Sequence, residues 1–197
     1  MNYLAHAYLS FNQPEILTGN MISDFVKGRK QFGFPLYIQK GIQLHRSIDA
    51  FTDAHEATKQ ANLFFKPAVG LYAGAFTDVA FDHFLANDKN EFTNETLLHF
   101  SESVYEALSN YQDIFPEKFA HMFPYMKTEN WLYNYNTLDG TEKSFGGLAR
   151  RAKYLTGSST AFSCFKNHYK ELKQCYSDFF PIVKKFAYAQ YQETFNN

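Results

Sequence analysis

Cysteine is scarce: Cys164 and Cys175 are the only two in 197 residues. They form no CxxC pair and have no ligand set nearby, which excludes a disulfide scaffold and a thiolate metal cluster and reads as two reduced thiols. An excess of charge is missing too. The formal net charge is −1, so no global basic field recruits nucleic acid or a membrane surface. No apolar run is long enough to cross a bilayer, and the start "MNYLAHAYLS" has neither a charged n-region nor a cleavage site. The expectation is a soluble, cytoplasmic protein without membrane insertion. A G-x-S-x-G elbow and a GxxxxGK[ST] phosphate loop are both absent, which removes two common hydrolytic and nucleotide-binding designs. No repeat, low-complexity tract or long linker divides the chain, so one domain over 1–197 is expected.

What is present is aromatic and helical. With 22 Phe and 14 Tyr, the core should be built largely from rings. Apolar residues recur with helical spacing, and strand-like alternation is hard to find, which predicts an all-α bundle of about 8–10 helices. The pattern places helices at about 2–10, 15–27, 36–52, 54–65, 68–86, 93–110, 116–126, 141–154, 159–174 and 176–194. Pro14 should open the second, and Pro67 should precede the fifth. Pro181 should start or kink the regular part of the last. "GRKQFGFP" at 28–35 and "YNYNTLDGTEK" at 133–143 read as loops.

Four segments carry His and Asp among apolar residues: "NYLAHAYLS", "GNMISDF", "LHRSIDAFTD" and "FTDVAFDHFL". In the third, His45, Asp49 and Asp53 are spaced by four and stack on one helix face, beside the apolar line Leu44, Ile48 and Phe51. His45, Arg46 and Asp49 together offer an imidazole, a two-pronged guanidinium and a carboxylate. In the fourth, Asp78 and Asp82 stand one turn apart, where like charges repel and call for a cation or basic partners. His83 follows Asp82 directly. A mixture of imidazole and carboxylate suits Mn²⁺, Fe²⁺ or Mg²⁺. Each residue also has a bland reading: His6 as a hydrogen-bonded core histidine, Asp24 as an exposed carboxylate, Asp82 and His83 as a lattice tying helices together. Gly19 and Asn20, upstream of Asp24, would allow a close backbone approach.

The segments "MNYLAHAYLS", "LTGNMISDFVKG", "GIQLHRSIDAFTD", "DVAFDHFL" and "NWLYNY" resemble, in order and spacing, the acyl carrier protein phosphodiesterase family. The resemblance runs from Met1 to about Tyr188, densest over the first 85 residues. It implies an all-helical fold, distantly like the His-Asp metal-dependent phosphohydrolases. The implied activity is hydrolysis of the phosphodiester that joins 4′-phosphopantetheine to a serine of holo-acyl carrier protein, usually with Mn²⁺. On that basis His6, Asp24, Asp82 and His83 are the expected metal ligands, with Asp49 and Asp78 as supporting or additional ligands. Arg46 is expected to clamp a phosphoryl oxygen, and His45 to donate a proton or join the metal shell. His45, Arg46 and Asp49 should share a cavity with Asp24 and Asp82. Because such carriers are acidic, Arg29 and Lys30 in "GRK" and Arg150 and Arg151 in "ARRAKY" are the expected partner surface. Two other readings stay open. One is a metal phosphohydrolase of a nucleotide or other small phosphodiester, and the other a non-catalytic helical protein binding an acidic partner.

Overall fold

A computed structural model describes residues 1–152 and 158–196. The chain order is α1 (Tyr3–Tyr8), α2 (Pro14–Ile22), α3 (Leu36–Ala54), α4 (Glu56–Val69), α5 (Ala73–Ala86) and α6 (Asn94–Ser109). It continues with α7 (Glu117–Thr128), α8 (Trp131–Asn134), α9 (Leu138–Arg151), α10 (Ser159–Asn167) and α11 (Tyr169–Asn196). Among the described residues there is no strand, so the fold is all-α. No described helix is long and apolar enough to cross a membrane.

The middle of the bundle is α5, which packs against α1, α4, α9 and α11. Its residues are buried nearly all round, as the unbroken run Phe76 to Leu85 of mostly apolar side chains requires. Rings fill the space between helices. Phe65, Phe76, Phe145 and Phe165 are fully buried and meet at angles up to near-perpendicular, joining α4, α5, α9 and α10. Phe51 of α3 stacks on Phe186 of α11 at 4.2 Å. Each such fully buried ring contributes about 1.5–3 kcal/mol by leaving water.

The closest helix pair is α2 on α3. A Cβ on Gly19 would stand 2.1 Å from the Ile38 carbonyl oxygen, and one on Gly41 would stand 2.3 Å from that of Ile16. Only glycine permits this approach, and it brings the turn after α2, which carries Asp24, beside the middle of α3, which carries His45.

Several boundaries differ from the sequence expectation for local reasons. The second helix stops at Ile22 and passes into 3-10 turns at Ser23–Phe25 and Gly28–Gly33. The break before α5 lies at Gly70, whose φ of 57° ends α4, and Pro67 sits in the last turn of α4. The expected loop at 133–143 is mostly helical, because the Thr137 hydroxyl accepts from the Gly140 amide and starts α9 early. The break near 175 moves to His168, and Pro181 lies inside α11. The expected end of the 141–154 helix falls at Lys153 and Tyr154, outside the described residues.

Candidate active site

The start of α1 is held by α5. The Asn2 side chain does not cap this helix; the Asp82 carboxylate accepts from the backbone amides of Asn2 (3.2 Å), Leu4 (2.7 Å) and Ala5 (3.3 Å). A carboxylate against free amides at a helix start is favourable on both hydrogen-bond and dipole grounds. This anchorage points His6, one turn along α1, toward α3.

There His6 meets His45. Their rings stack at 3.9 Å with 16° between planes. His6 Nε2 lies 3.1 Å from Asp49 Oδ1, and His45 Nε2 lies 3.1 Å from Asp49 Oδ2 and 3.2 Å from Asp24 Oδ1. On its other nitrogen His45 is held by Asn20: Nδ1 stands 3.1 Å from Asn20 Oδ1. The Asn20 amide is itself oriented, since its Nδ2 donates to the His6 carbonyl (3.0 Å) and to Ser10 Oγ (3.1 Å). An Nδ1–H donated to Asn20 leaves Nε2 of neutral His45 with its lone pair toward the two carboxylates. His6 Nδ1 is buried without a partner.

The charges divide unequally between the two rings. Burial, followed by the neighbouring His45, lowers His6 to about 4. Burial also opposes charge on His45, but its hydrogen bonds to the Asp24 and Asp49 carboxylates outweigh it and raise its pKa to about 9. Asp49 is held far below the usual carboxylate range: burial is overcome by His45, His6 and the Met1 ammonium. That ammonium donates to Asp78 Oδ1 at 2.9 Å and stands 3.8 Å from Asp49. Burial still leaves Asp78 raised. Burial lifts Asp82 to about 7, against the Met1 ammonium and the three amides.

Ligand atoms of His6, His45 and Asp49 all lie within 4.8 Å of one another. Nitrogen-to-oxygen gaps of 3.1 Å match the separation, about 3 Å, of adjacent donors around an octahedral ion of short metal–ligand bonds. Two imidazoles and a carboxylate, with Asp24 alongside, are a donor set that fits one divalent cation of nitrogen–oxygen preference.

The other expected residues lie elsewhere. His83 is on α5, as the sequence implied, but both its nitrogens are engaged: Nδ1 donates to the Tyr135 carbonyl (2.8 Å) with Thr141 Oγ1 at 3.0 Å, and Nε2 faces the Tyr169 hydroxyl (2.9 Å). With its only lone pair turned to Tyr169, it offers nothing to an ion at His45. Asp82 is spent on the α1 amides, and Asp78 on the Met1 ammonium. These two belong to the bland lattice reading and His83 to a strut between α5, α9 and α11. Arg46 shares the stripe, but its guanidinium donates to Gln31 Oε1 and to the Val26 carbonyl, both at 2.9 Å. It braces the 26–31 segment, where the expectation was a grip on phosphate. Asp53 is exposed. Asn20 is the functional residue that sequence reasoning assigned differently. The close approach belongs to Gly19, and Asn20 orients His45; a buried Asn one turn before an Asp at a helix end was the only available signal.

The partner-surface residues split into two places. Arg29 and Lys30 are exposed on the 3-10 turn beyond Asp24. Arg150 and Arg151 end α9 and border a cleft of about 890 Å³. Lys153 and Tyr154 of the same basic segment lie outside the described residues.

A family profile described as acyl carrier protein phosphodiesterase matches residues 1–183. An acyl carrier protein phosphodiesterase of Klebsiella pneumoniae strain 342 is 30% identical over 190 residues, covering 95% of this chain and 97% of its own. Another, from Yersinia pestis, is 30% identical over 188 residues with the same coverage of both chains. One from Enterobacter sp. strain 638 is 31% identical over 184 residues, covering 92% and 94%. No solved structure matches the chain at a significant level. With a profile spanning the buried His–Asp cluster and nearly the whole bundle, the chain belongs to the acyl carrier protein phosphodiesterase family.

Proposed function

We propose that this protein hydrolyses the phosphodiester between 4′-phosphopantetheine and a serine of holo-acyl carrier protein, using a divalent cation held by His6, His45 and Asp49 with Asp24 beside them. One observation carries the reading: two stacked imidazoles and a carboxylate converge in a member of this family. Mn²⁺ is the first choice of cation, with Mg²⁺ or Fe²⁺ next, because the donors are nitrogen and oxygen without sulfur. Bound there, such an ion would lower the pKa of a coordinated water and offset charge gathering on the phosphoryl oxygens.

In the reaction a water oxygen bonds to phosphorus, the bond from phosphorus to the serine oxygen breaks, and that oxygen takes up a proton. The products are apo-carrier protein and 4′-phosphopantetheine. The chain's own residues prepare this step in three ways. Asn20 holds His45 in the tautomer that keeps Nε2 toward Asp24 and Asp49. Asp82 fixes α1, and with it His6. Arg46 ties down the segment between Asp24 and the exposed basic turn.

That turn offers Arg29 and Lys30 beside the exposed Phe32, a cationic and apolar surface suited to an acidic carrier. A carrier substrate puts the enzyme in the cytoplasm and in fatty acid metabolism. The test is mass spectrometry of holo-carrier protein after incubation with the purified protein, with Mn²⁺ and with excess chelator. The reading requires loss of the phosphopantetheine mass with the ion and not with the chelator. A carrier of unchanged mass in both would refute it.

A further inference from the structure

The cleft of about 890 Å³ borders the His–Asp cluster through three residues of its lining. Tyr3 stands on α1 one turn before His6, and Asn2 precedes it. Phe25 directly follows Asp24, whose side chain is 67% exposed. Arg151, at the end of α9, and Tyr3, on α1, line the same cleft, with the Tyr3 hydroxyl 3.6 Å from Met122 Sδ. The cleft therefore puts Arg150 and Arg151 together with Tyr3 and Phe25, whose chain segments carry His6 and Asp24.

The lining has two characters. Tyr3, Phe25, Met122, Trp131, Tyr135 and Leu148 make an apolar and aromatic wall. Lys118, Lys143, Arg150 and Arg151 also line it, against Glu129 as the single acidic lining residue among those described. Glu129 accepts from Trp131 Nε1 at 2.9 Å, and Lys143 pairs with Asp139 at 2.7 Å. The floor includes two adjacent glycines in the middle of α9, Gly146 and Gly147. Glycine weakens a helix, and here no close approach demands it. Among the described residues, a Cβ on Gly147 would meet only Arg150 Nη2 at 3.8 Å, and one on Gly146 only Arg150 Nη1 at 3.6 Å and Ser158 Oγ at 3.9 Å.

We propose that this cleft seats the phosphopantetheine arm, its phosphate end at Arg151 and Tyr3 and its uncharged chain along Trp131, Met122 and Leu148. The proposal rests on the phosphodiesterase reading for the identity of the arm. A narrow chain of amides and methylenes with one anionic end matches a lining of apolar and aromatic side chains with four cationic ones, and the volume falls within the usual range for a small-molecule site.

Trp131 is the only tryptophan in the chain and reports on the cleft by its own fluorescence. Free 4′-phosphopantetheine, titrated into the intact protein, should change Trp131 emission saturably. Pantetheine without the phosphate should bind at least tenfold more weakly. Gly147→Leu, which improves helix propensity and projects a side chain into the cleft, should weaken 4′-phosphopantetheine binding tenfold or more without lowering Tm. Arg151→Gln should also weaken it about tenfold. The proposal is overturned if 4′-phosphopantetheine gives no saturable change, or if Gly147→Leu binds it as well as the parent does. It is equally overturned if inorganic phosphate binds as tightly, marking a bare anion site, or if adenosine monophosphate binds more tightly, marking a nucleotide site. These titrations are independent of turnover. Failure to release the arm from holo-carrier protein would refute the phosphodiesterase reading and leave arm binding to stand or fall by itself.

Discussion

His45 and His83 look alike in sequence, each an imidazole near carboxylates on an apolar helix, and the fold makes them opposites. His45 has one nitrogen engaged by Asn20, and the other faces Asp24 and Asp49 beside the stacked ring of His6. His83 has on one nitrogen the Tyr135 carbonyl, from the turn between α8 and α9, and on the other the Tyr169 hydroxyl of α11. The same contrast separates Asp49, between two imidazoles, from Asp82, between three backbone amides. Whether a buried polar group can do chemistry depends on whether the fold has already used its lone pairs.

The largest effect should come from the open side of this contrast. Asp49→Asn keeps the shape but removes the charge shared by His6 and His45. Apo-carrier formation should fall by about 100-fold or more, since even groups behind a ligand are worth about 10–100-fold. Circular dichroism should show the helices retained. Activity within a few-fold of the parent would move the site away from this cluster.

Asp82→Ala tests the closed side. It strands three amides at the start of α1, and unsatisfied buried groups cost about 1–3 kcal/mol each, part of which local relaxation returns. A loss of about 3 kcal/mol is expected, or roughly 6–12 °C in Tm for a chain this size. Cation affinity, read by calorimetry on whatever fraction remains folded, should stay near that of the parent. A lost cation with unchanged Tm would erase the distinction between Asp49 and Asp82.

His83 should register in acid stability. Burial lowers its pKa to about 4 from the ordinary 6.5, against the pull of the Tyr135 carbonyl. Between those values the unfolded chain takes up a proton that the folded one refuses, so stability falls as pH drops through 6.5 toward 4 and rises again in the reverse direction. The full difference is worth about 3 kcal/mol below pH 4. His83→Asn retains a donor for Tyr135 and removes the titration, so its Tm should vary less steeply than the parent's over that window. Parallel Tm curves would show that His83 is not a buried neutral strut.

Asn20→Ala should have a smaller effect, about a tenfold fall in cation affinity and activity, through loss of orientation of His45. The smallest belongs to Arg46→Lys. One of its two bonds to Gln31 and Val26 is lost, at a cost of about 1 kcal/mol, and carrier hydrolysis should stay within about threefold of the parent. A fall beyond about 100-fold at unchanged Tm would restore Arg46 to the phosphate.

The stripe on α3 was half legible. His45 and Asp49 at a spacing of four had to share a face, and the apolar set Leu44 and Ile48 had to be buried behind them. The direction of Arg46, between them in sequence, was not legible. A long side chain follows its nearest acceptors, and those came from a 3-10 segment that helical periodicity read as helix and loop.

Ring-rich composition and a period near 3.6 were enough to decide that the chain would bury its apolar faces in helices, because that pattern has no good alternative in a strand. The resemblance of the His- and Asp-bearing segments to the family was what put His6, Asp24, His45 and Asp49 among the candidates for chemistry. Which of these side chains converge was settled only when Gly19 and Gly41 let α2 press on α3 and Asp82 docked α1 on α5. Those contacts join residues far apart in the chain, and the price of desolvating a carboxylate or an imidazole is set by the neighbours that such contacts bring.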